Sequence, residues 1–131
     1  MRARLWLRPR VGSAAMLEEK GRSVALYDPF FAPDRAALQT QYDFLVCSEV
    51  AEHFHQPAEE FVRLNSLLKP GGVLAVMTNL LAPSIDFGGW HYRRDPTHVV
   101  FYTEPTMRWL SKRHGWRLER PHKRVTLFWK L

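Results

Sequence analysis

Two acidic residues and two histidines have the types and spacing needed for proton transfer or metal binding. Glu49, Glu52 and His53 occur within a Glu-Val-Ala-Glu-His run, and His98 follows later in an Asp-Pro-Thr-His sequence. If the chain turns into a helix after Ser48, positions 49, 52 and 53 share one face, because residues three or four positions apart are neighbours on a helix surface. The spacing therefore predicts a cluster of two carboxylates and an imidazole.

The cluster follows an apolar run, residues 44–47, that is typical of a buried parallel strand. Open α/β sheets bind ligands in the crevice at the carboxyl ends of their strands. The cluster is therefore expected at a binding edge. The run also contains the one cysteine of the sequence, Cys47, which excludes an internal disulfide and is expected to be a buried, inert thiol.

The size and composition of the chain limit what kind of protein it is. The sequence has 131 residues, 46% of them hydrophobic and 24% charged, which fits one globular domain over residues 1–131. No apolar run approaches the roughly 20 residues that a membrane span requires. The first ten residues contain four arginines without a long apolar segment, which argues against a secretory signal. We therefore expect a cytoplasmic protein with no membrane partner.

The net charge is +6, and much of it lies near the two ends of the sequence. Such a balance permits binding to nucleic acid or to other anions. A solvated basic surface explains the same charge, so a nucleic-acid-binding module remains an alternative that rests on charge alone.

Apolar runs alternate with helix signals along the chain. The predicted strands are residues 4–7, 23–27, 43–48, 73–77, 116–119 and 125–129. Three helices are predicted: one at residues 14–20, one that begins at Pro57, and one from Glu104 or Thr106 to about Gly115. The helix from Pro57 is expected to face inward with Phe61, Leu64, Leu67 and Leu68. About one further helical turn is predicted at 34–38. The Lys-Pro-Gly-Gly sequence at 69–72 is predicted as the turn before the fourth strand. This order predicts an α/β fold with a mostly parallel sheet, helices on both faces and a C-terminal antiparallel strand pair.

Two segments carry a family resemblance. They are Tyr-Asp-Phe-Leu-Val-Cys-Ser-Glu-Val-Ala-Glu-His at 42–53 and Leu-Leu-Lys-Pro-Gly-Gly-Val-Leu at 67–74. They resemble the class I S-adenosylmethionine-dependent methyltransferases, in which the strands beside these two motifs are adjacent, and the resemblance covers roughly residues 13–131. It implies a Rossmann-like fold and transfer of a methyl group to oxygen or nitrogen of an acceptor.

The same resemblance implies which residues contact S-adenosylmethionine. They are Gly12, Asp28, Pro29, Ser48 and Glu49. Asp28 stands where such enzymes bind the ribose hydroxyls, and a carboxylate can accept hydrogen bonds from two hydroxyls at once. Taken by itself, Asp28 is also an ordinary turn residue before a proline.

The amino end departs from the family pattern. Where the family has a glycine-rich loop after its first strand, this chain reads Arg8-Pro9-Arg10-Val11-Gly12, with arginines at two glycine positions. Side chains there would obstruct the close approach of the backbone to the cofactor that glycine allows. Residues 1–12 are therefore expected to be an atypical or truncated start. A non-catalytic domain that acts through a partner or as a homodimer stays open as the alternative to an enzyme.

The Glu-x-x-Glu-His motif also resembles metal-dependent small-RNA 3′-terminal 2′-O-methyltransferases and ubiquinone-pathway O-methyltransferases. This resemblance implies that Glu49, Glu52, His53 and His98 bind Mg²⁺, Mn²⁺ or Zn²⁺. Such a cation would lower the pKa of an acceptor hydroxyl. In the alternative without metal, Glu49 contacts the cofactor, Glu52 is solvated, and His53 caps the fold or acts as a general base. In the family reading His53 and His98 are the catalytic residues, whereas His55 and His91 are expected at the surface.

The segment 79–103 is predicted to be a long loop that contains the substrate lid, residues 90–98. Its aromatic and guanidinium groups suit a planar or anionic substrate through stacking and cation–π contacts. Asp95 is expected to orient His98 or to pair with a neighbouring arginine. Packing of Trp90 and Phe101 over the sheet explains the same composition. We expect a small-molecule substrate, with nucleic acid as the alternative.

Overall fold

A computed structural model describes residues 2–5, 23–26, 41–48 and 50–131, with the backbone alone for the first two segments. The strands are β1 (Arg2–Leu5), β2 (Ser23–Leu26), β3 (Tyr42–Ser48), β4 (Leu68–Met77), β5 (Trp116–His122) and β6 (Val125–Lys130). The helices are α1 (Pro57–Leu67), α2 (His91–Arg94) and α3 (Glu104–His114), and a 3-10 turn spans Ala51–His53. All six predicted strands are present, whereas the predicted helix at 14–20 and turn at 34–38 lie outside the described residues.

The strands form one six-stranded sheet in the order β2-β1-β3-β4-β6-β5. The first four strands in this order are parallel, and β6 lies antiparallel between β4 and β5. The predicted fold class, a Rossmann-like α/β domain with a C-terminal antiparallel pair, is therefore confirmed. The pairing of β3 with β4 also confirms the adjacency that the two sequence motifs implied.

The sheet contains a topological switch point at β1. Strands β2 and β3 pair with β1 on its opposite sides, and all three run in the same direction. Their carboxyl ends therefore lie at one edge of the sheet. In open α/β sheets the crevice at such a switch point is the usual place for a ligand.

The Lys-Pro-Gly-Gly sequence is a bulge inside β4 and not, as predicted, a turn that precedes the strand. Strand β3 pairs with Leu68 before the bulge and with Val73 after it. Gly71 has a φ of 81°, which L side chains rarely adopt. A Cβ on Gly72 would lie 2.7 Å from the backbone oxygen of Asp43, so the two strands approach too closely for a side chain. Leu68 consequently begins the strand and does not belong to the preceding helix.

Helix α1 follows the predicted amphipathic pattern. Pro57 occupies its first turn, where a missing N–H costs nothing, and two glutamates lie in that turn near the positive end of the helix dipole. Phe61, Leu64 and Leu67 are buried at a spacing of three residues. The inward-facing stripe is therefore confirmed, apart from Leu68.

Helix α3 has well-defined caps at both ends. The Thr103 hydroxyl accepts a hydrogen bond from the backbone N–H of Thr106 at 3.2 Å. Gly115 ends the helix in the left-handed conformation, with a φ of 69°. Met107 and Leu110 are buried, so the helix packs through this side while its charged residues stay exposed.

The core lies between the sheet and the helices α1 and α3. Its buried members include Leu45 and Cys47 of β3, which confirms the buried thiol. The indole N–H of Trp116 donates to the Asn65 side-chain oxygen at 3.0 Å, so the start of β5 is tied to α1. The Trp116 ring also packs on Phe128 with centroids 5.0 Å apart. Among the described residues no helix has the length and apolarity to cross a membrane.

Candidate functional site

The turn that follows β3 places a glutamate inside the protein. The side chain of Glu52 is fully buried, and its Oε2 accepts a hydrogen bond from the Thr78 hydroxyl at 3.0 Å. The Thr78 oxygen also lies 3.0 Å from the Tyr92 hydroxyl. Because the threonine hydroxyl has one hydrogen, which it gives to the carboxylate, the tyrosine must donate to the threonine. Glu52, which the alternative without metal expected to be solvated, is therefore held by a buried hydrogen-bond chain.

The other oxygen of Glu52 is unusual. Oε1 is buried without a hydrogen-bond donor among the described residues, and it lies 3.8 Å from the His53 Nε2. A buried carboxylate oxygen without a donor is costly, because it has lost its hydration without compensation. A proton or a cation bound at this position would satisfy the oxygen.

The local conformation differs from the predicted one. Residues 51–53 form a single 3-10 turn and not the start of an α-helix, because Phe54 is already extended with a φ of −68° and a ψ of 118°. The helix-face argument for positions 49, 52 and 53 is therefore wrong, although Glu52 and His53 remain close. Glu49 lies outside the described residues.

The two predicted histidines meet although 44 residues separate them in the chain. The rings of His53 and His98 lie edge to face with centroids 4.9 Å apart. His53 Nδ1 lies 2.8 Å from the Thr97 carbonyl oxygen, and His98 Nδ1 lies 2.7 Å from the Tyr92 carbonyl oxygen. A carbonyl can only accept, so both rings carry a proton on Nδ1 and, when neutral, present a basic Nε2.

Together these residues form a compact donor set. One ligand atom from each of Glu52, His53 and His98 lies within 4.8 Å of the others. Backbone carbonyls that fix the outer nitrogen of a histidine are also what metal-binding histidines usually have. The arrangement can accept a proton from a bound group, or it can hold a small cation after modest closure.

The segment that carries His98 is attached directly to the Glu52 turn. The backbone oxygen of Glu52 accepts from the N–H groups of Val99 and Val100, at 2.9 and 3.2 Å. The Tyr102 hydroxyl donates to the backbone oxygen of Ala51 at 2.8 Å. Burial raises the pKa of the Tyr102 hydroxyl far above its ordinary value, so the group stays a donor. These contacts fix His98 relative to the end of β3.

Asp95 lies beside His98, the residue that one of its two predicted roles concerned. Its Oδ2 lies 3.4 Å from the His98 Nε2. Its Oδ1 accepts hydrogen bonds from the Thr97 backbone N–H at 2.9 Å and from the Thr97 hydroxyl at 2.6 Å. These hydrogen bonds hold the pKa of the Asp95 carboxyl below its usual range. The carboxyl of Asp95 is therefore ionised at neutral pH where it lies beside His98.

The aromatic residues of the predicted lid form a row of rings that are tilted against one another. The Trp90 ring lies 5.2 Å from the Tyr92 ring, and the Tyr92 ring lies 4.1 Å from the His98 ring. The Trp90 ring also lies 5.9 Å from the Phe101 ring, but both residues are only half-buried, so the packing alternative, which expected them to be buried over the sheet, is not confirmed. His91 is exposed, and so is His55, as expected.

The structure brings together three of the four residues predicted for the metal. Of the predicted cofactor residues, Ser48 ends β3 at the switch-point edge, whereas Gly12, Asp28, Pro29 and Glu49 lie outside the described residues. Thr78 and Tyr92 were missed by the sequence analysis. Thr78 offers one signal, a polar residue directly after a buried strand, but Tyr92 could not be distinguished from its aromatic neighbours.

Comparisons with solved structures agree on the fold. An N1-methyltransferase of 1,6-didemethyltoxoflavin from Burkholderia thailandensis, solved with S-adenosylhomocysteine, has a TM-score of 0.69 at 15% identity, over 98% of this chain and 70% of its own. A methyltransferase from Archaeoglobus fulgidus gives 0.69 at 18% identity, over 90% and 62%. An O-methyltransferase family protein from Burkholderia thailandensis gives 0.63 at 18% identity, over 98% and 42%.

The chain thus spans less than two thirds of the length of two of these three structures. No curated protein matches the sequence. A family model described as a methyltransferase domain matches residues 8–120. Since this match covers most of the chain, the protein belongs to the methyltransferase domain family, and the resemblance to class I S-adenosylmethionine-dependent methyltransferases is confirmed.

Proposed function

We propose that this domain transfers a methyl group from S-adenosylmethionine to an oxygen or nitrogen of a small-molecule acceptor. The observation that carries the proposal is the position of the Glu52, His53 and His98 cluster, directly after β3 and beside the switch point of the sheet. Groups that can remove a proton thus lie at the edge where a sheet of this kind binds its ligand.

The switch point fits the cofactor. Its edge ends in Ser48 on β3, and β2 ends two residues before Asp28 in the sequence. We propose that Gly12, Asp28, Pro29, Ser48 and Glu49 contact the cofactor, with Asp28 accepting from the ribose hydroxyls. When bound, S-adenosylmethionine supplies an electrophilic methyl group on a positively charged sulfur.

The histidines serve the acceptor in this proposal. With Nδ1–H fixed on a carbonyl, Nε2 of His53 or His98 takes the proton from the acceptor's hydroxyl or amine. Glu52 lies beside the first imidazole and Asp95 beside the second, so each positive ring that forms faces a carboxylate.

The same cluster also fits a divalent cation. Glu52, with its donor-free Oε1, and the two imidazoles form a mixed oxygen and nitrogen set that suits Mg²⁺, Mn²⁺ or Zn²⁺. A cation held there would supply the positive charge that lowers the pKa of an acceptor hydroxyl. Glu49, the fourth residue of the proposed set, would join from the end of β3.

Cofactor binding is tested by calorimetry and thermal unfolding with S-adenosylmethionine and S-adenosylhomocysteine. A ligand at 100 times its Kd stabilises the folded state by about 2.7 kcal/mol, which is a clear rise in Tm. Asp28→Asn should weaken binding, whereas Asp86→Asn, an exposed aspartate in the loop after β4, should not. Absence of both heat and Tm shift at millimolar cofactor would refute the proposal.

Cation binding is tested separately by titrating MnCl2 into the protein. If the cluster holds the ion, His98→Asn should weaken Mn²⁺ binding by about tenfold or more. The matched control is His55→Asn, since His55 is an exposed histidine close by that takes no part in the cluster. Equal Mn²⁺ affinity in both variants would exclude the cation and leave the histidines as general bases.

A second candidate is a non-catalytic domain that acts through a partner or as a homodimer. It is favoured by Arg8 and Arg10, which stand at two positions where the family has glycine. The cofactor titration separates the candidates, because this one predicts no binding of S-adenosylmethionine.

A further inference from the structure

A cavity separate from the histidine cluster opens on the same edge of the sheet. It has a volume of about 1080 Å³, just above the usual range for small-molecule sites. Its walls are the segment after β4, the start of α3 and the turn between β5 and β6. Neither His53 nor His98 lines it, but Trp90 does, and the Trp90 ring packs against Tyr92, which contacts His98.

One side of this cavity is apolar and aromatic. Leu81, Ile85, Phe87 and Trp90 contribute to it, and the rings of Phe87 and Trp90 lie 6.5 Å apart. The loop is held in place because the backbone N–H of Leu81 donates to the Tyr102 oxygen at 2.8 Å. Aromatic side chains on a fixed loop favour a flat ligand that can stack on them.

Another part of the lining is strongly basic. Arg108, Arg120, Lys123 and Arg124 line it, against a single carboxylate, that of Glu104. Glu104 already pairs with Arg108 and, at 3.2 Å, with Arg120. Three positive charges therefore remain uncompensated within the lining.

Two of the four cations have no acidic partner in the part of the chain that the structure describes. No carboxylate there lies within 4 Å of Lys123 or Arg124, whereas Arg120 is fixed by Glu104 and by the Lys123 backbone oxygen at 3.2 Å. Lys123 and Arg124 form the turn between β5 and β6 and contribute two positive charges to the lining. The hydrogen bond from Arg120 to the Lys123 backbone oxygen holds the backbone of this turn. Positive charges next to an apolar, aromatic surface favour a ligand that has both an anionic group and a flat apolar part.

We infer that this cavity binds a planar aromatic ligand carrying one anionic group, such as an aromatic carboxylate. The apolar wall would stack on the ring, and the turn cations would bind the anion. Resting on the proposed function, the inference makes this ligand the methyl acceptor, whose ring would lie against Trp90 and whose reacting hydroxyl or amine would extend past Tyr92 toward His98. A small molecule is favoured over a nucleic acid strand because the described lining offers two aromatic rings, Phe87 and Trp90, whereas a strand binds along a basic groove in which aromatic side chains stack on successive bases.

The test uses two probes that differ only in charge, 2-naphthoate and its neutral amide, 2-naphthamide. Calorimetry is run on the full chain and on Lys123→Gln/Arg124→Gln. The matched control is Lys112→Gln/Arg113→Gln, which removes the same two charges from exposed positions on α3 that do not line the cavity. Thermal unfolding shows whether each variant is folded.

We expect naphthoate to bind wild type more tightly than naphthamide does, with an affinity that falls as salt is added. The turn variant should lose about tenfold in naphthoate affinity, since two partly exposed charge contacts contribute about 1.4 kcal/mol together. The control variant should bind nearly as wild type, and naphthamide should bind all three proteins alike.

Equal binding of the two probes, equal losses in the two double variants, or no naphthoate binding at millimolar concentration would each overturn the inference. Displacement of naphthoate by a single-stranded oligonucleotide at much lower concentration would overturn it in favour of nucleic acid. The cofactor titration is independent of the naphthoate titration. Binding of naphthoate without binding of S-adenosylmethionine would refute the proposed methyl transfer alone. Binding of S-adenosylmethionine without binding of naphthoate would refute the ligand inferred for the cavity alone.

Discussion

The Thr78 hydroxyl provides the sharpest test of the buried network. Thr78→Val keeps the shape of the side chain but removes the donor to the Glu52 Oε2. Among the described residues the Glu52 carboxylate then has no hydrogen-bond donor, because its Oε1 already lacks one. A buried acceptor left without a donor costs about 1–3 kcal/mol, and more when it is charged, so we expect a loss of about 3 kcal/mol in the free energy of unfolding.

The measurement is urea denaturation followed by circular dichroism, with Thr126→Val as the control. Thr126 is a buried threonine on β6, 2% exposed, that donates no hydrogen bond to Glu52. We expect the control to lose less than about 1 kcal/mol. Unchanged m-values would show that both variants differ from wild type in stability and not in compactness.

A double-mutant cycle locates the effect. In a Glu52→Gln background the carboxylate is absent, so Thr78→Val should cost at least about 1 kcal/mol less than it does in wild type. The reasoning about the network is wrong if Thr78→Val costs no more than Thr126→Val. It is equally wrong if the cost is the same in both backgrounds.

Three further predictions concern stability. Burial raises the pKa of the Glu60 carboxyl above its ordinary value of 4.5, so the ionised group destabilises the folded state at pH values above 4.5. In urea denaturation at pH 7, Glu60→Gln should therefore be more stable than the control Glu59→Gln, and this difference should vanish below pH 4.5. Burial lowers the pKa of the His114 imidazole from its ordinary value of 6.5. The neutral ring therefore stabilises the folded state above pH 6.5, and this stabilisation is lost as the pH falls below 6.5. Between pH 7 and pH 5, His114→Gln should lose less free energy of unfolding than wild type does. Gly71→Ala should lower the free energy of unfolding by about 1–2 kcal/mol, because Gly71 has a positive φ. Gly72→Ala should lower it more, because the added Cβ would meet the backbone of Asp43. Equal losses of the two variants in thermal unfolding would contradict the close approach of β3 and β4 at Gly72.

Local pattern was enough to find the strands and the family. Strand β3 is an apolar run bounded by polar residues, and α1 repeats its apolar residues at helical spacing, so each could be recognised from a short window. The bulge in β4 could not, because Gly72 fits a turn as well as a strand. Whether Gly72 lies in a turn or in a bulge depends on how closely β3 approaches it, and β3 lies elsewhere in the sequence.

The amino-acid sequence by itself determined which residue types were available for chemistry, Glu52, His53 and His98, and that an apolar strand precedes the first two. Tertiary structure decided that the two histidines meet, that Glu52 is buried, and that Thr78 and Tyr92 hold it. The physical reason is that these contacts join residues far apart in the chain. Their energies depend on how the loop after β4 folds back onto the turn after β3, which no local pattern of residues specifies.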